Sequence, residues 1–117
     1  MVDPVRRLRA LVLAIAVIAI PVVVASDEPS AAVWIDVRTP AEYADGHLPG
    51  AHSIPFDGIE KGVSRLRLDK DQAIYLYCAA GGRAEIARKR LQALGYTRVI
   101  NAGGLEEARA AQAAATP

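Results

Sequence analysis

A lone cysteine opens a six-residue segment that combines a nucleophilic sulfur, two glycines and a guanidinium, Cys78-Ala-Ala-Gly-Gly-Arg83. The apolar and aromatic residues 73–77 before it predict a buried strand, and the pattern after it predicts a helix from about Ala84. A loop between a strand and a helix N-terminus turns backbone N–H groups toward one point, and the helix dipole adds positive potential there. Both effects favour a thiolate and a bound anion. The segment therefore predicts a catalytic sulfur.

The alternative interpretation of Cys78 is a small, inert hydrophobe at the end of a buried strand, since cysteine is among the residues most often buried. A free cysteine has a pKa of about 8.5 and is mostly thiol at neutral pH, so catalysis requires the loop to lower that pKa. The loop favours function, because an anion-binding loop that begins at a thiol has few structural reasons to exist. Thioredoxin-type exchange uses a second nearby thiol and is excluded, because Cys78 is the only cysteine.

The first 25 residues differ in composition from the rest of the chain. Three arginines precede an uncharged run of 16 residues from Ala10 to Ala25, which contains Pro21 and ends in small residues. This is the layout of a secretory signal peptide, and the run is shorter than the roughly 20 residues that a spanning helix needs. The sequence therefore predicts export with cleavage after Ala25. A retained membrane anchor, facing the periplasm or the exterior, is the alternative.

The charge of the remainder excludes two classes of partner. Removing residues 1–25 takes away three arginines and one aspartate, which leaves 11 basic and 12 acidic residues and a formal charge of −1. That balance attracts neither nucleic acid nor an anionic membrane, so membrane contact is expected only through an uncleaved N-terminal segment. With one cysteine, an exported domain forms no internal disulfide and must be stabilised by packing.

The remaining residues predict a linker, 26–32, and a single domain, 33–117. Its predicted elements alternate, with strands at 33–37, 51–54, 73–77 and 98–101 and helices at 40–43, 59–68, 84–94 and from 105 onward. Alternating strands and helices predict an α/β fold with a mainly parallel sheet, in which ligands bind at the carboxyl ends of strands. Cys78 lies at such an end.

Several other side chains are interpreted as structural. Asp36 and Arg38 are expected to pair and hold neighbouring loops. His47 and His52 are expected to stabilise the turn that joins them, because no further ligands suggest a metal. Trp34 is expected in the core. In the helix after the loop, apolar residues at 84, 87, 91 and 94 are predicted to face inward, with Glu85 and Lys89 paired outside.

Residues 33–105 resemble the rhodanese-like family of sulfurtransferases, in particular its small, periplasmic, single-domain type. Seven landmarks carry the resemblance by their order and spacing: Asp36-Val37-Arg38, Glu42-Tyr43, Gly46-His-Leu-Pro-Gly-Ala51, Ile54-Pro55, the Tyr77-Cys78 to Arg83 loop, Leu94-Gly95-Tyr96 and Asn101-Ala-Gly-Gly-Leu105. The resemblance implies a three-layer α/β fold with a five-stranded, mainly parallel sheet flanked by helices. Many members have a further strand and helix before the first landmark, for which residues 26–32 leave little room. A shortened sheet edge is expected.

The resemblance also implies a reaction and its residues. The Cys78 thiolate would attack the sulfane sulfur of thiosulfate, sulfite would leave, and the persulfide would pass its sulfur to cyanide or a thiol acceptor. No metal or organic cofactor is implied. Gly81 and Gly82 would supply positive φ angles, and Arg83 would add charge at the rim or, alternatively, be a solvated helix-start arginine. The backbone amides expected to bind the persulfide and the anionic substrate are those of Ala79, Ala80, Gly81, Gly82, Arg83 and Ala84.

Two other functions remain open at this point. Family domains also serve as non-catalytic sulfur carriers or binding modules, which would load sulfur without turning over. A phosphatase or arsenate reductase is the third candidate, because related phosphatases use a similar loop with one more residue between cysteine and arginine. Here four residues lie between Cys78 and Arg83. The tighter ring suits a single sulfur atom better than a tetrahedral phosphate.

Overall fold

The computed structural model describes residues 16–19 and 32–115 of the 117-residue chain. The predicted signal peptide, 1–25, and the predicted linker, 26–32, lie outside the described residues except for 16–19 and Ala32. Their assignment stays a prediction. In the two described ranges, no helix combines the length and the apolar character needed to cross a membrane.

The domain is built on a parallel sheet with helices on both faces. The strands are β1 (Val33–Asp36), β2 (His52–Ser53), β3 (Ile74–Cys78) and β4 (Val99–Gly104), in the spatial order β2-β1-β3-β4. The helices are α1 (Pro40–Ala44), α2 (Ile59–Leu66), α3 (Gly82–Ala93) and α4 (Leu105–Ala115), with a 3₁₀ turn at Phe56–Gly58. The predicted α/β fold is confirmed.

The sheet has four strands within residues 16–19 and 32–115, where the family resemblance implied five. The first described strand begins at Val33, directly at the Asp-Val-Arg landmark, so the described chain contains no segment that could form the strand preceding this landmark in many family members. Among the described strands, β4 has one neighbour, β3.

Side chains alternate between two cores because successive residues of a strand point to opposite faces. Ile74, Leu76 and Cys78 of β3 lie in one cluster, which α2 and α3 cover with Val63, Ala87 and other apolar residues. The intervening Tyr77 lies in the second cluster with Trp34, Leu48 and Ala108 of α4. Trp34 is buried, as predicted. Both faces of the strand that carries the cysteine are therefore packed, and only its carboxyl end opens toward a loop.

β4 is longer than predicted and reaches the loop after Cys78. The paired glycines, expected to follow the strand, are its last two residues. The register between β3 and β4 shifts between Leu76 and Cys78, so that Cys78 lies opposite Gly104. Gly103 has a φ of +86°, a backbone conformation that residues with a side chain rarely adopt. A glycine at this position lets β4 continue past the shift in register.

Candidate active site

Cys78 is the last residue of β3, at the edge of the sheet where β1 also ends and where α1 and α3 begin. The residue is about 1% exposed. Its Sγ atom faces the turn that follows, and the backbone N–H of Gly81 donates to it at 2.9 Å. Ala79 and Ala80 on the outside of the turn are exposed. The sulfur is therefore enclosed by backbone on a loop whose outer side chains are two methyl groups.

Two opposing effects act on the thiol. Burial raises the pKa of Cys78, but the backbone N–H groups of Ala84, Ala80, Gly81 and Arg83 together lower it by more, so the pKa lies below its usual value. Amides in the first turn of a helix have no partner within the helix and are available to an anion. The structure thus brings four of the six predicted amides to the sulfur. Ala79 and Gly82 are exposed.

The loop needs one positive φ angle rather than the two predicted. Gly81 has a φ of +101° and is the N-cap of α3, whereas Gly82 is already helical and is absent from the positive-φ residues of the described chain. The prediction for Gly82 was wrong because α3 begins at Gly82, two residues before the expected start at Ala84. The earlier start places the amides of Arg83 and Ala84 in the first helical turn, where they can face the sulfur.

Asn101 of β4 supports the loop from behind, a role that the sequence did not reveal. Its Nδ2 donates to the Gly81 carbonyl oxygen at 3.0 Å, and its Oδ1 accepts from the Gly103 N–H at 2.9 Å. One side chain therefore joins the turn around the sulfur to the end of β4. Asn101 belongs to a landmark of the family resemblance, but its residue type and spacing could not predict a contact with a turn 20 residues earlier in the chain.

Arg83 lies at the rim and is engaged by a carboxylate. Its Nη1 and Nη2 donate to Oε1 and Oε2 of Glu42 at 2.8 and 3.1 Å, and both side chains keep about a third of their surface exposed. The hydrogen bonds from Arg83, followed by that from the Thr39 backbone, lower the pKa of Glu42 to about 2. The sequence predicted the position of Arg83 but missed its partner on α1.

Asp36, Arg38 and His47 have the structural contacts predicted for them. Asp36 and Arg38 form a buried ion pair with a 2.6 Å contact, as predicted. The Nδ1 atom of His47 lies 2.8 Å from the Tyr43 carbonyl oxygen, and its ring stacks on the Tyr43 ring, so His47 holds the turn after α1. His52 is exposed in β2. Among residues 16–19 and 32–115, no group of three or more His, Cys, Asp or Glu side chains is placed to hold a metal ion.

The lowered pKa predicts how the reactivity of Cys78 depends on pH. The rate of alkylation by iodoacetamide should rise with a midpoint below that of the urea-unfolded chain, which is expected near 8.5. Because the folded pKa is the lower one, ionisation of Cys78 favours the folded state. That contribution is complete above the unfolded pKa and is lost as the pH falls through the folded pKa. Equal midpoints in folded and unfolded protein would contradict the assignment.

Comparison with known proteins places this geometry in a family. The sequence model of the Rhodanese-like domain matches residues 24–111. The chain is 39% identical over 74 residues to the thiosulfate sulfurtransferase PspE of Escherichia coli (strain K12), covering 63% of this chain and 71% of that protein. It is 36% identical over 67 residues to the putative sulfur carrier protein YrkF of Bacillus subtilis (strain 168), and the match covers 57% of this chain and 35% of that protein.

A solved structure agrees with the sequence matches. It is described as a rhodanese with anions from E. coli, and it superposes with a TM-score of 0.63 at 39% identity, covering 66% of this chain and 91% of the other. The family match spans both the strand that ends in Cys78 and the β4 glycines behind the loop. The chain therefore belongs to the rhodanese-like domain family.

Proposed function

We propose that this protein is a sulfurtransferase that takes the sulfane sulfur of thiosulfate onto Cys78 and passes it to cyanide or a thiol acceptor. The observation that carries the proposal is the set of backbone N–H groups directed at the Cys78 sulfur, which lowers its pKa despite its burial. A thiolate held by amides is a nucleophile at neutral pH, and the same amides can stabilise the negative charge of a persulfide.

The proposed reaction has two half-reactions through one covalent intermediate. In the first, an electron pair of the Cys78 thiolate forms a bond to the outer sulfur of thiosulfate, and the sulfur–sulfur bond of thiosulfate breaks, so that its electron pair leaves with sulfite. In the second, cyanide or a thiolate bonds to the outer sulfur of the persulfide, and the Cys78 thiolate leaves. The two steps balance without an added oxidant or reductant, and they predict ping-pong kinetics.

The dimensions and side chains of the loop support sulfur transfer. The turn from Cys78 to Gly81 is tight enough for the Gly81 amide to reach the sulfur directly at 2.9 Å. A phosphoryl group would have to fit where this contact now lies. The alanines at 79 and 80 offer no polar group to select a donor, which suits a small inorganic anion recognised mainly by backbone amides.

Intact-mass measurement tests the proposal. After incubation with thiosulfate and removal of excess reagent, the wild-type protein should gain the mass of one sulfur atom, and cyanide should remove it as thiocyanate. Cys78→Ser, which replaces the sulfur with a smaller oxygen that cannot form a persulfide, should gain no mass. A wild type that stays unmodified, or a Cys78→Ser variant that loads equally, would count against the proposal.

A sulfur carrier is the second candidate, and the similarity to the putative sulfur carrier protein favours keeping it. A carrier would accept sulfur on Cys78 from a partner and deliver it to another protein. The same cyanide assay separates the two candidates, because an enzyme forms thiocyanate over many turnovers with thiosulfate. A carrier forms at most one equivalent from a preloaded persulfide.

A further inference from the structure

In the described part of the chain, three guanidinium groups on or near the elements that carry the loop are paired with carboxylates. The three ion pairs are Arg38 with Asp36, Arg83 with Glu42, and Arg88 with Glu85. Each of these three pairs has no net charge, so together they add no net positive charge around the loop. An anionic donor meets backbone amides and paired cations, and the guanidinium N–H groups that a carboxylate occupies become available only when a carboxylate oxygen is displaced.

The Glu42–Arg83 pair is the one built for such an exchange. Oε1 of Glu42 accepts the Thr39 backbone N–H at 3.0 Å, the Thr39 hydroxyl at 3.1 Å and Nη1 of Arg83 at 2.8 Å. Oε2 accepts a hydrogen bond only from Nη2 of Arg83, at 3.1 Å, among the described contacts. The first oxygen is thus fixed by the cap of α1, and the second depends on Arg83 alone.

The pair is also open to solvent where the Asp36–Arg38 pair is closed. The Arg83 and Glu42 side chains are 30% and 33% exposed, whereas those of Arg38 and Asp36 are 8% and 0% exposed. Part of the Arg83 side chain is therefore accessible to an anion from solvent, whereas the Arg38–Asp36 pair is shielded. The hydrogen bond to Glu42 raises the pKa of Arg83 most, and the charge of the Cys78 thiolate also raises it, so the guanidinium lies within electrostatic reach of the sulfur.

We propose that Glu42 is a specificity-determining residue that competes with anionic sulfur donors for Arg83. At rest its carboxylate occupies the guanidinium, and an incoming anion binds by taking the place of Oε2 at Nη2. Glu42 therefore weakens the binding of anionic donors relative to neutral ones. This inference rests on the proposed sulfur transfer at Cys78 and deepens it.

Glutamine at position 42 isolates the charge from the helix cap. A capping box accepts either glutamate or glutamine at position N3 of the helix, because only one side-chain oxygen is needed to accept from the N-cap backbone. Here that oxygen is Oε1, so Glu42→Gln keeps the contacts to Thr39 while it removes the negative charge. Arg83 is left with a neutral partner that an anion displaces more easily.

Paired alkylating agents test the inference without sulfur chemistry. Iodoacetate is an anion and iodoacetamide is its neutral counterpart, so the ratio of their rates at Cys78 reports anion binding at the site and cancels changes in the thiolate fraction. In Glu42→Gln at low salt, the ratio should rise about two- to fivefold, the range expected for one partly exposed ion pair. In an Arg83→Gln background the same substitution should leave the ratio unchanged.

Three results would overturn the inference. An unchanged ratio in Glu42→Gln would show that no competition exists, and a lower ratio would show that Glu42 holds Arg83 in position for the anion. If Glu42→Gln raised the ratio equally in the Arg83→Gln background, the effect would come from electrostatic repulsion between the Glu42 carboxylate and the anion, and not from competition for Arg83. Glu60→Gln removes the same charge on α2, where Glu60 faces Arg90 at 3.9 Å, and should leave the ratio at its wild-type value.

Steady-state kinetics extend the test to the proposed donor. The kcat/KM for thiosulfate should rise in Glu42→Gln, and by more than the alkylation ratio, because thiosulfate carries two negative charges and iodoacetate one. If the protein does not use thiosulfate, the alkylation ratio still responds to Glu42, and only the proposed function fails. If thiosulfate turnover is intact and the ratio does not respond, only this inference fails.

Discussion

Replacing Arg38 with methionine is expected to lower the free energy of unfolding by about 3–5 kcal/mol, because it leaves a buried carboxylate without its partner. The Asp36 side chain is fully buried. It accepts hydrogen bonds from the backbone N–H of Arg38 at 2.9 Å and from Nη2 at 2.6 Å, and Nε lies 2.9 Å from Oδ1. A loss of this size is a large part of the stability of a small domain.

The same pair joins three parts of the chain next to the cysteine. Nη2 of Arg38 also donates to the Gly46 carbonyl oxygen at 2.7 Å, which ties β1 to the turn after α1. The guanidinium lies 5.7 Å from the centre of the Tyr77 ring, and the Tyr77 hydroxyl accepts the Leu48 N–H at 3.0 Å. Burial raises the pKa of Tyr77 to about 12, so the phenol stays neutral at physiological pH. Loss of Arg38 therefore loosens the residue that precedes Cys78.

Urea unfolding followed by the fluorescence of Trp34 measures this effect. Arg90→Met is the matched control, because Arg90 is 41% exposed and its Glu60 partner lies 3.9 Å away, so the loss should stay below about 1 kcal/mol. Asp36→Leu combined with Arg38→Met should recover part of the lost stability, since no charge then remains buried. Equal losses in Arg38→Met and Arg90→Met would refute the assignment.

The order of the elements and the place of Cys78 were predictable because both depend on local sequence. Short apolar runs predicted β1 and β3, and α1 begins at Pro40, the start that the sequence predicted, with Thr39 forming a full capping box. The helix predicted to end at 94 is followed by Gly95, whose φ of +100° suits the end of a helix. These features need only neighbours in the chain, so residue types and spacing suffice to find them.

Predictions failed where distant parts of the chain decide the outcome. Leu94 was placed on the inward stripe of α3, but it is the C-cap of the helix and is 46% exposed, whereas Ala87 and Leu91 are buried. Glu85 was paired with Lys89, but it forms its ion pair with Arg88 and lies 3.4 Å from the Asn101 amide. Helical periodicity places both Arg88 and Lys89 close to Glu85, so it cannot distinguish between them. The packing of α3 against β4 selects Arg88.

The contacts that shape the candidate site lie beyond the reach of sequence spacing. Glu42 and Arg83 are 41 residues apart, and Asn101 is 20 residues from Gly81. Each residue is individually a plausible cap, surface charge or turn residue. Their meeting follows from the parallel sheet, which brings the carboxyl ends of β1 and β3 side by side and sets the end of β4 behind the loop.

Replacing Gly104 with alanine is expected to slow persulfide formation by about 100-fold, the cost of moving a reacting group by roughly 1 Å. A Cβ atom at this position would lie 2.5 Å from the carbonyl oxygen of Ala79, closer than real contacts allow. The opposing atom belongs to the backbone, so the loop and not a flexible side chain must move. Since Ala79 follows Cys78 directly, this movement displaces the amides of Ala80 and Gly81 from the sulfur.

The displaced amides give this variant a second signature. With fewer N–H groups at the sulfur, burial dominates and the pKa of Cys78 rises, so the midpoint of iodoacetamide alkylation should move to higher pH. Gly58→Ala is the control, because no atom lies within 4 Å of a Cβ at that position, and its loading rate should match the wild type. A folded Gly104→Ala variant with normal loading and an unmoved midpoint would show that β4 does not hold the loop. The amides would then owe their arrangement to the Cys78–Gly81 turn and to the start of α3 alone.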